Sequence, residues 1–257
     1  MPEQGSLKHY RADLHIHSCL SPCASLDMSP RAIAQTAVEK GLNCIALTDH
    51  NSAGNCAVMQ TLCSEKGILF FPGIEVSTSE EAHILCLFET VEAAETLGDF
   101  VYRSLPDVDN EPEKLGDQVL VNETDEIEGF VQKYLGLASM ITIDQLRSKV
   151  RKLGGLLIPA HIDRPSFSVI SQLGFLSGDF SAVEISRAGV RRGIDLTLAG
   201  PYPAVTASDS HYLHEIGSVS VGFELREGTF EEYCFRLSQK NITIYSQTPD
   251  QSSDRFR

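Results

Sequence analysis

One kind of polar residue recurs where this chain's apolar runs begin or end. "DLHIHS" (13–18) sets His15 and His17 one residue apart, and "CIALTDH" ends in Asp49 and His50. "FFPGIEVS" carries Glu75, "AHILCLF" opens with His83, "LLIPAH" ends in His161, and "AVTASDSH" ends in Asp209 and His211. Six of the eight histidines lie at such places. A buried imidazole needs a partner. One core histidine is satisfied by a carbonyl, but two projecting side by side from one strand suit a metal better, because neutral imidazole ligates zinc, iron or manganese. Structural histidines have no reason to collect at strand ends. Open α/β sheets and barrels build their sites at the carboxyl ends of their strands, so the pattern demands a fold that brings several such ends to one mouth. Alternation along a strand puts Asp13, His15 and His17 on one face and Leu14 and Ile16 on the other. Asp13 and Asp49 then read as ligands or, preferably for Asp13, as carboxylates that orient a histidine. His9 reads as a solvated residue, and His214 as a loop residue.

The intervening segments supply that fold. "SPRAIAQTAVEKG" opens with a serine cap and a proline and stops at glycine, and "NSAGNCAVMQTLCSEKG" is a second helix ending in glycine. Between and after them, "RADLHIH", "LNCIALTDH", "ILFFPGIEVST" and "AHILCLF" read as strands. Later come the helix "TIDQLRSKVRKLGG", the strands "LLIPAH", "FSAVEIS" and "YPAVTASDSH", the helix "TFEEYCFRLSQKN" and the strand "ITIY". Strand–helix alternation argues for a parallel sheet or barrel. Residues 89–141 are less regular, rich in acid, proline and glycine, and read as an insertion with a hairpin or mobile loop inside a single domain spanning 1–257. Residues 248–257 read as a frayed tail.

Charge bears on partners. Asp and Glu exceed Lys and Arg by 14, which repels a nucleic-acid backbone over most of the surface. The best basic candidates, "RSKVRK" (147–152) and Arg191–Arg192, look like ordinary helix faces, so long nucleic acid is expected to be an unlikely partner. A small anion can still bind where metal ions supply positive charge. No run nears the roughly 18 apolar residues of a membrane span, and the start has no apolar core like that of a secretion signal. The expected location is therefore cytoplasmic. Seven scattered cysteines (19, 23, 44, 56, 63, 86, 234) fit reduced, mostly buried thiols.

In their order, "DLHIHS" (13–18), "ALTDHN" (46–51), "PGIEVS" (72–77), "AH" (160–161) and "SDSH" (208–211) resemble the PHP (polymerase and histidinol phosphatase) family of phosphoesterases. The resemblance implies a distorted (β/α)7 barrel with two or three divalent metal ions (zinc, manganese or iron) at the carboxyl ends of its strands. It implies that His15, His17, Glu75 and Asp209 hold one ion, that Glu75 bridges to another held by His83 and His161, and that His50 and His211 belong to a third position. At one point the chain departs from the family. Pro22 stands where the family supplies a further ligand beside His50, and proline cannot coordinate. That leaves Cys23 or Asp27 as a substitute, or a third position weak or absent.

Such a ligand set makes a site of strong positive potential, in which water between two ions becomes hydroxide near neutral pH. The expected activity is hydrolysis of a phosphate ester of a small phosphorylated molecule: a nucleotide, a short oligonucleotide end, or a sugar or amino-alcohol phosphate. Arg164 ("HIDRP") and Arg187 ("EISRAG") are placed to clamp phosphate oxygens, and His211 or His50 to protonate the leaving group. Two rivals stand beside this. One is an amidohydrolase-type amide or lactone hydrolase, which also uses His-x-His on its first strand but often a modified lysine where this chain has Glu75. The other is a non-catalytic module that binds a metal, a nucleotide or a partner protein.

Overall fold

The computed structural model describes residues 6–246, so the expected tail at 248–257 lies outside the described residues. The strands are β1 (Lys8–Asp13), β2 (Cys44–Leu47), β3 (Leu69–Ser77), β4 (His83–Leu87), β5 (Val119–Val121), β6 (Ile127–Phe130), β7 (Leu156–Pro159), β8 (Val183–Ile185), β9 (Ala204–Thr206), β10 (Val219–Leu225) and β11 (Thr243–Ser246). The helices are α1 (Pro30–Glu39), α2 (Cys56–Lys66), α3 (Val91–Arg103), α4 (Pro112–Leu115), α5 (Ile143–Lys152), α6 (Val169–Leu173), α7 (Arg187–Arg192) and α8 (Phe230–Ser238). Local chemistry sets the helix ends. The Ser29 side chain accepts from Ala32 N ahead of Pro30 in α1. Thr142 and Gln145 form a reciprocal capping box on α5. Gly67 takes the left-handed turn that stops α2.

Seven strands form one curled, open sheet in the order β11-β10-β1-β2-β3-β4-β7. It is a mixed α/β half-barrel, as the resemblance drawn from sequence implies. Its core strands β1, β2 and β3 are parallel. The sheet is not parallel throughout, because β4 runs against both β3 and β7 and β10 runs against β1. The parallel pair β8–β9 spans the opening. Ile162 N donates to Glu184 O on one side of it, and His17 N donates to Ser210 O on the other. β10 lies outside the elements expected from sequence, although Val219, Val221, Phe223 and Leu225 repeat at the period of a strand and are buried.

One large apolar cluster includes helix residues Ile33, Ala37, Met59, Leu62 and Leu97 with Ile45 and Ile74 of the sheet. A second joins Ala46, Phe71, Leu85, Ile158 and Phe223 with Tyr233 and Leu237 of α8. The simple alternation expected for "DLHIH" does not continue past Asp13, because β1 ends there. Leu14 then enters the second cluster and Ile16 the first.

Residues 89–141 begin with a regular 13-residue helix, α3, capped by Thr90 and burying Ala94, Leu97 and Val101. The hairpin β5–β6 follows. The Gln118 side chain, fully buried, donates to Val131 O and Lys133 O and accepts from Leu135 N. Asn51, next to His50, donates to Leu135 O and Leu137 O, which ties the segment to the mouth of the sheet. No helix among the described residues is long and apolar enough to cross a membrane.

Candidate metal centre

The fold brings all eight expected ligands together. His15 and His17 follow β1, His50 follows β2, Glu75 lies near the end of β3, His161 follows β7, and Asp209 and His211 follow β9. His83 is the first residue of β4, not the last. It reaches the same mouth because β4 is antiparallel and pairs His83 with Ser77 at the end of β3. His15 Nε2 lies 3.1 Å from His17 Nε2, and both lie 3.3 Å from Asp209 Oδ1. Glu75 is the hub. Its Oε1 is 3.3 Å from His15 Nε2, 3.1 Å from His83 Nδ1 and 3.3 Å from His161 Nε2. Its Oε2 is 3.4 Å from His17 Nε2 and 3.0 Å from His50 Nδ1. Three overlapping groups result: His15–His17–Glu75–Asp209, His50–Glu75–His83, and His17–His50–His211.

The hydrogen bonds around the cluster fix which nitrogens face inward. His15 Nδ1 donates to Glu184 Oε2 at 2.9 Å, which leaves Nε2 for the cluster. The Ser21 hydroxyl donates to Asp49 at 2.6 Å, so its oxygen accepts from His17 Nδ1 at 3.0 Å. His17 Nε2 is thereby turned inward too. His211 Nδ1 donates to the carbonyl of Asp209 at 3.0 Å, so its Nε2 carries a free lone pair. This is how an outer partner sets the tautomer of a metal-ligating histidine. Two Nε2 atoms 3.1 Å apart and facing carboxylates repel unless a proton or cation lies among them. His50 Nδ1 and His161 Nδ1 are buried with no hydrogen-bond partner. Buried orphan nitrogens and convergent lone pairs fit a centre for one or more divalent ions.

Titration of the cluster divides in two. Burial opposes charge on His15, but Glu184, Asp209 and Glu75 carry its pKa well above the ordinary value. Burial is likewise outweighed at His17, which Asp209 and Glu75 raise to about 9. Burial would also raise Glu75 and Asp209, yet the surrounding histidines hold both carboxyls far below the usual range. At the outer edge burial wins. His50 is pushed well below its ordinary value, and His211 to about 4, with the nearby His17 adding to the shift.

The bracing carboxylates differ from expectation. Asp13 does not orient a histidine. It accepts from Ser208 N at 2.9 Å and Gly217 N at 2.8 Å, and so clamps the two ends of the loop that carries Asp209 and His211. Asp49 accepts from Ser18 N as well as from Ser21, and acts on His17 through that hydroxyl. Glu184, which braces His15, stands out in no way from sequence: it is a lone acid inside "FSAVEIS". His161 and Asp209 adopt left-handed backbone, with φ of 32° and 50°, strain of the kind that gathers at functional sites. Arg164 pairs with Asp209. Arg187 pairs with Glu215 at 2.8 Å, and Glu215 also accepts from His211 N. His9 is exposed on β1, and His214 is exposed in a short turn of 3-10 helix beside Tyr212. Among the cysteines, five are buried, Cys234 is intermediate and Cys23 is exposed.

A half-barrel that gathers histidines around one shared carboxylate fits the class of metal-dependent hydrolases. The PHP domain model matches residues 13–226, and the chain belongs to that family of metal-dependent phosphoesterase domains. YqxK of Bacillus subtilis (strain 168), an uncharacterized protein, is 31% identical over 117 residues, covering 40% of this chain and 30% of YqxK. The lesion-specific endonuclease PfuEndoQ from Pyrococcus furiosus superposes with a TM-score of 0.62 at 19% identity, over 92% of this chain and 58% of that one. Endonuclease Q in complex with a 27-mer duplex substrate, an abasic lesion at its active site, gives 0.61 at 19% identity, over 90% and 57%. The chain thus spans little more than half the length of those endonucleases and under a third of YqxK. The duplex complex overturns the expectation that partners are confined to small phosphorylated molecules with long nucleic acid unlikely. Net charge averages over a whole surface, whereas a phosphate backbone is bound locally, where cations can reverse the field.

Proposed function

We propose that this domain hydrolyses phosphate esters in nucleic-acid or nucleotide substrates, using divalent ions held by His15, His17, Glu75 and Asp209, by Glu75, His83 and His161, and by His50 and His211. The observation that carries this reading is the Glu75 carboxylate, within 3.4 Å of nitrogens from five histidines. Ions bound there supply Lewis acidity and concentrated positive charge. The chain's own groups divide the remaining work. Arg164, 40% exposed, is held on Asp209 through one nitrogen and keeps other N–H donors for phosphate oxygens. Arg187 acts through Glu215, which holds the backbone of His211. His50 and His211, kept neutral by burial, serve as ligands in preference to proton donors. Phe167, half exposed and stacked on His83 at 4.9 Å, offers an apolar face at the mouth for a base or sugar. Residues 89–141 form a wall of the same domain, tied to the mouth through Asn51.

The test is a substrate panel with metal-loaded protein: single-stranded and duplex oligonucleotides with and without an abasic site, nucleotide monoesters, and cyclic amides as the amidohydrolase arm. Cleavage of a phosphate ester by wild type and its loss in Glu75→Gln with the fold retained is the expected result. Turnover of the cyclic amides alone would sink the reading.

A further inference from the structure

The third histidine group, His17–His50–His211, has three nitrogens and no carboxylate. On the resemblance drawn from sequence, Pro22 stands where a further ligand is expected. The next residue points into the gap: Cys23 Sγ lies 3.1 Å from His211 Nε2. That nitrogen is the one with the free lone pair, because Nδ1 donates to the Asp209 carbonyl. A second observation points to a ligand at this edge. His50, 91% buried, makes no hydrogen bond through Nδ1, which lies 3.0 Å from Glu75 Oε2, and its ring packs 4.5 Å from that of His17, which in turn stacks 4.3 Å from His211.

The loop that presents Cys23 is built, not loose. Successive turns donate Ser21 N to Ser18 O, Ala24 N to Ser21 O and Met28 N to Ser25 O. Ser25 N donates to the carbonyl of His211 itself, at 2.9 Å. On the other side Gly116, at φ 90°, sits against Pro22, where a Cβ would come 2.1 Å from the Pro22 oxygen. A side chain cannot be placed there without moving the loop. Asp27, the other substitute considered from sequence, is exposed and lines a separate groove with Leu26, Val119 and Ile127.

We infer that Cys23 is a thiolate ligand of the outer metal ion, completing a His50–His211–Cys23 set beside His17, whose Nε2 faces the inner group. Two imidazoles and one sulfur suit zinc or ferrous iron, and disfavour magnesium and calcium, which prefer oxygen. Binding breaks the S–H bond, forms the metal–sulfur bond and releases one proton to solvent. The inference rests on the metal-centre reading above, and its test is spectroscopic, so that the two can fail separately.

The experiment adds cobalt(II) to metal-free wild type and Cys23→Ser and records the near-ultraviolet spectrum during titration. Wild type is expected to develop a thiolate-to-cobalt charge-transfer band that Cys23→Ser lacks and Asp27→Asn keeps. The affinity of the last ion is expected to fall at least about tenfold in Cys23→Ser, since even an outer partner of a ligand is worth 10–100-fold. Far-ultraviolet circular dichroism establishes that the variant folds. Cobalt uptake without the band, or a band that survives in Cys23→Ser, overturns the inference and leaves the metal centre standing. No cobalt uptake at all overturns both.

Discussion

The inner and outer ends of the metal cluster lie side by side and are constructed differently. At the inner end His15, His17, Glu75 and Asp209 are at most 8% exposed. Each inner imidazole has its outward nitrogen held by a side chain, Glu184 or Ser21. At the outer end the side chains of His50, His83 and His211 are 11%, 14% and 22% exposed. His211 is oriented by the backbone carbonyl of Asp209 and by Cys23 Sγ, and His50 Nδ1 lies 3.0 Å from Glu75 Oε2 without a hydrogen bond. Carboxylates outweigh burial at the inner histidines and keep them charged when no metal is bound, whereas burial outweighs Glu75 at His50 and keeps His50 and His211 neutral. An ion entering the inner end must therefore displace protons from nitrogen. An ion entering the outer end meets lone pairs already free.

Removing what both ends share has the largest effect. Glu75→Gln takes the charge from the hub of the two-ended cluster, and metal affinity is expected to fall by more than about 100-fold, with phosphoesterase turnover reduced to background. Metal analysis after dialysis and the substrate panel read both. Full metal retention in that variant would break the comparison at its root.

Glu184→Gln separates the ends. Glu184 braces the inner side through His15, accepts also from the backbone of His161 and touches neither His50 nor His211, so inner-ion affinity should drop about 10–100-fold. The cobalt–thiolate signal of the outer ion should persist. Equal losses at both ends by titration calorimetry would show that they behave as one unit.

The pH response comes next in size. The metal-free His17 pKa, about 9, lies above its ordinary value because Asp209 and Glu75 outweigh burial. Its contribution to stability is thus complete below about 6.5 and is lost as pH rises through about 9. The melting temperature of metal-free protein should fall across that window. Inner-ion affinity should rise over the same window, by up to about tenfold per pH unit for each displaced proton. The outer ion, bound by histidines already neutral, should depend less steeply on pH through imidazole and retain only the thiol's proton. A metal-free protein that gains stability from pH 6.5 to 9 would contradict the charged inner pair.

Asp13→Asn is the mildest of these changes. It replaces a carboxylate that clamps Ser208 N and Gly217 N without touching a ligand. A stability loss of about 1–3 kcal/mol is expected by denaturant unfolding, with little change in cobalt spectrum. A large spectral change would make Asp13 part of the inner end.

Much of this centre is legible along the chain because ligand chemistry needs particular side chains and strand ends announce themselves. His15, His17, His50, His161, Asp209 and His211 each follow an apolar run, and Glu75 lies within one. Glu184 was not legible, because one acid in a short buried strand carries no mark of the partner it will meet. Nor was the clamp made by Asp13, since it depends on where β1 stops and on a loop almost two hundred positions later. β10 repeats like a strand but sits between a turn and a helix, away from every ligand.

The linear order of residues was enough to state which donors exist, that they are imidazoles and carboxylates, and that a strand-end mouth would collect them. Folding alone settled which nitrogen of each ring faces inward and which thiol stands beside His211. Those choices are made by hydrogen bonds and packing from residues distant in sequence: Glu184 on His15, the antiparallel course of β4 under His83, Gly116 against Pro22. A ring has two chemically similar nitrogens, and only its neighbours in space can tell them apart.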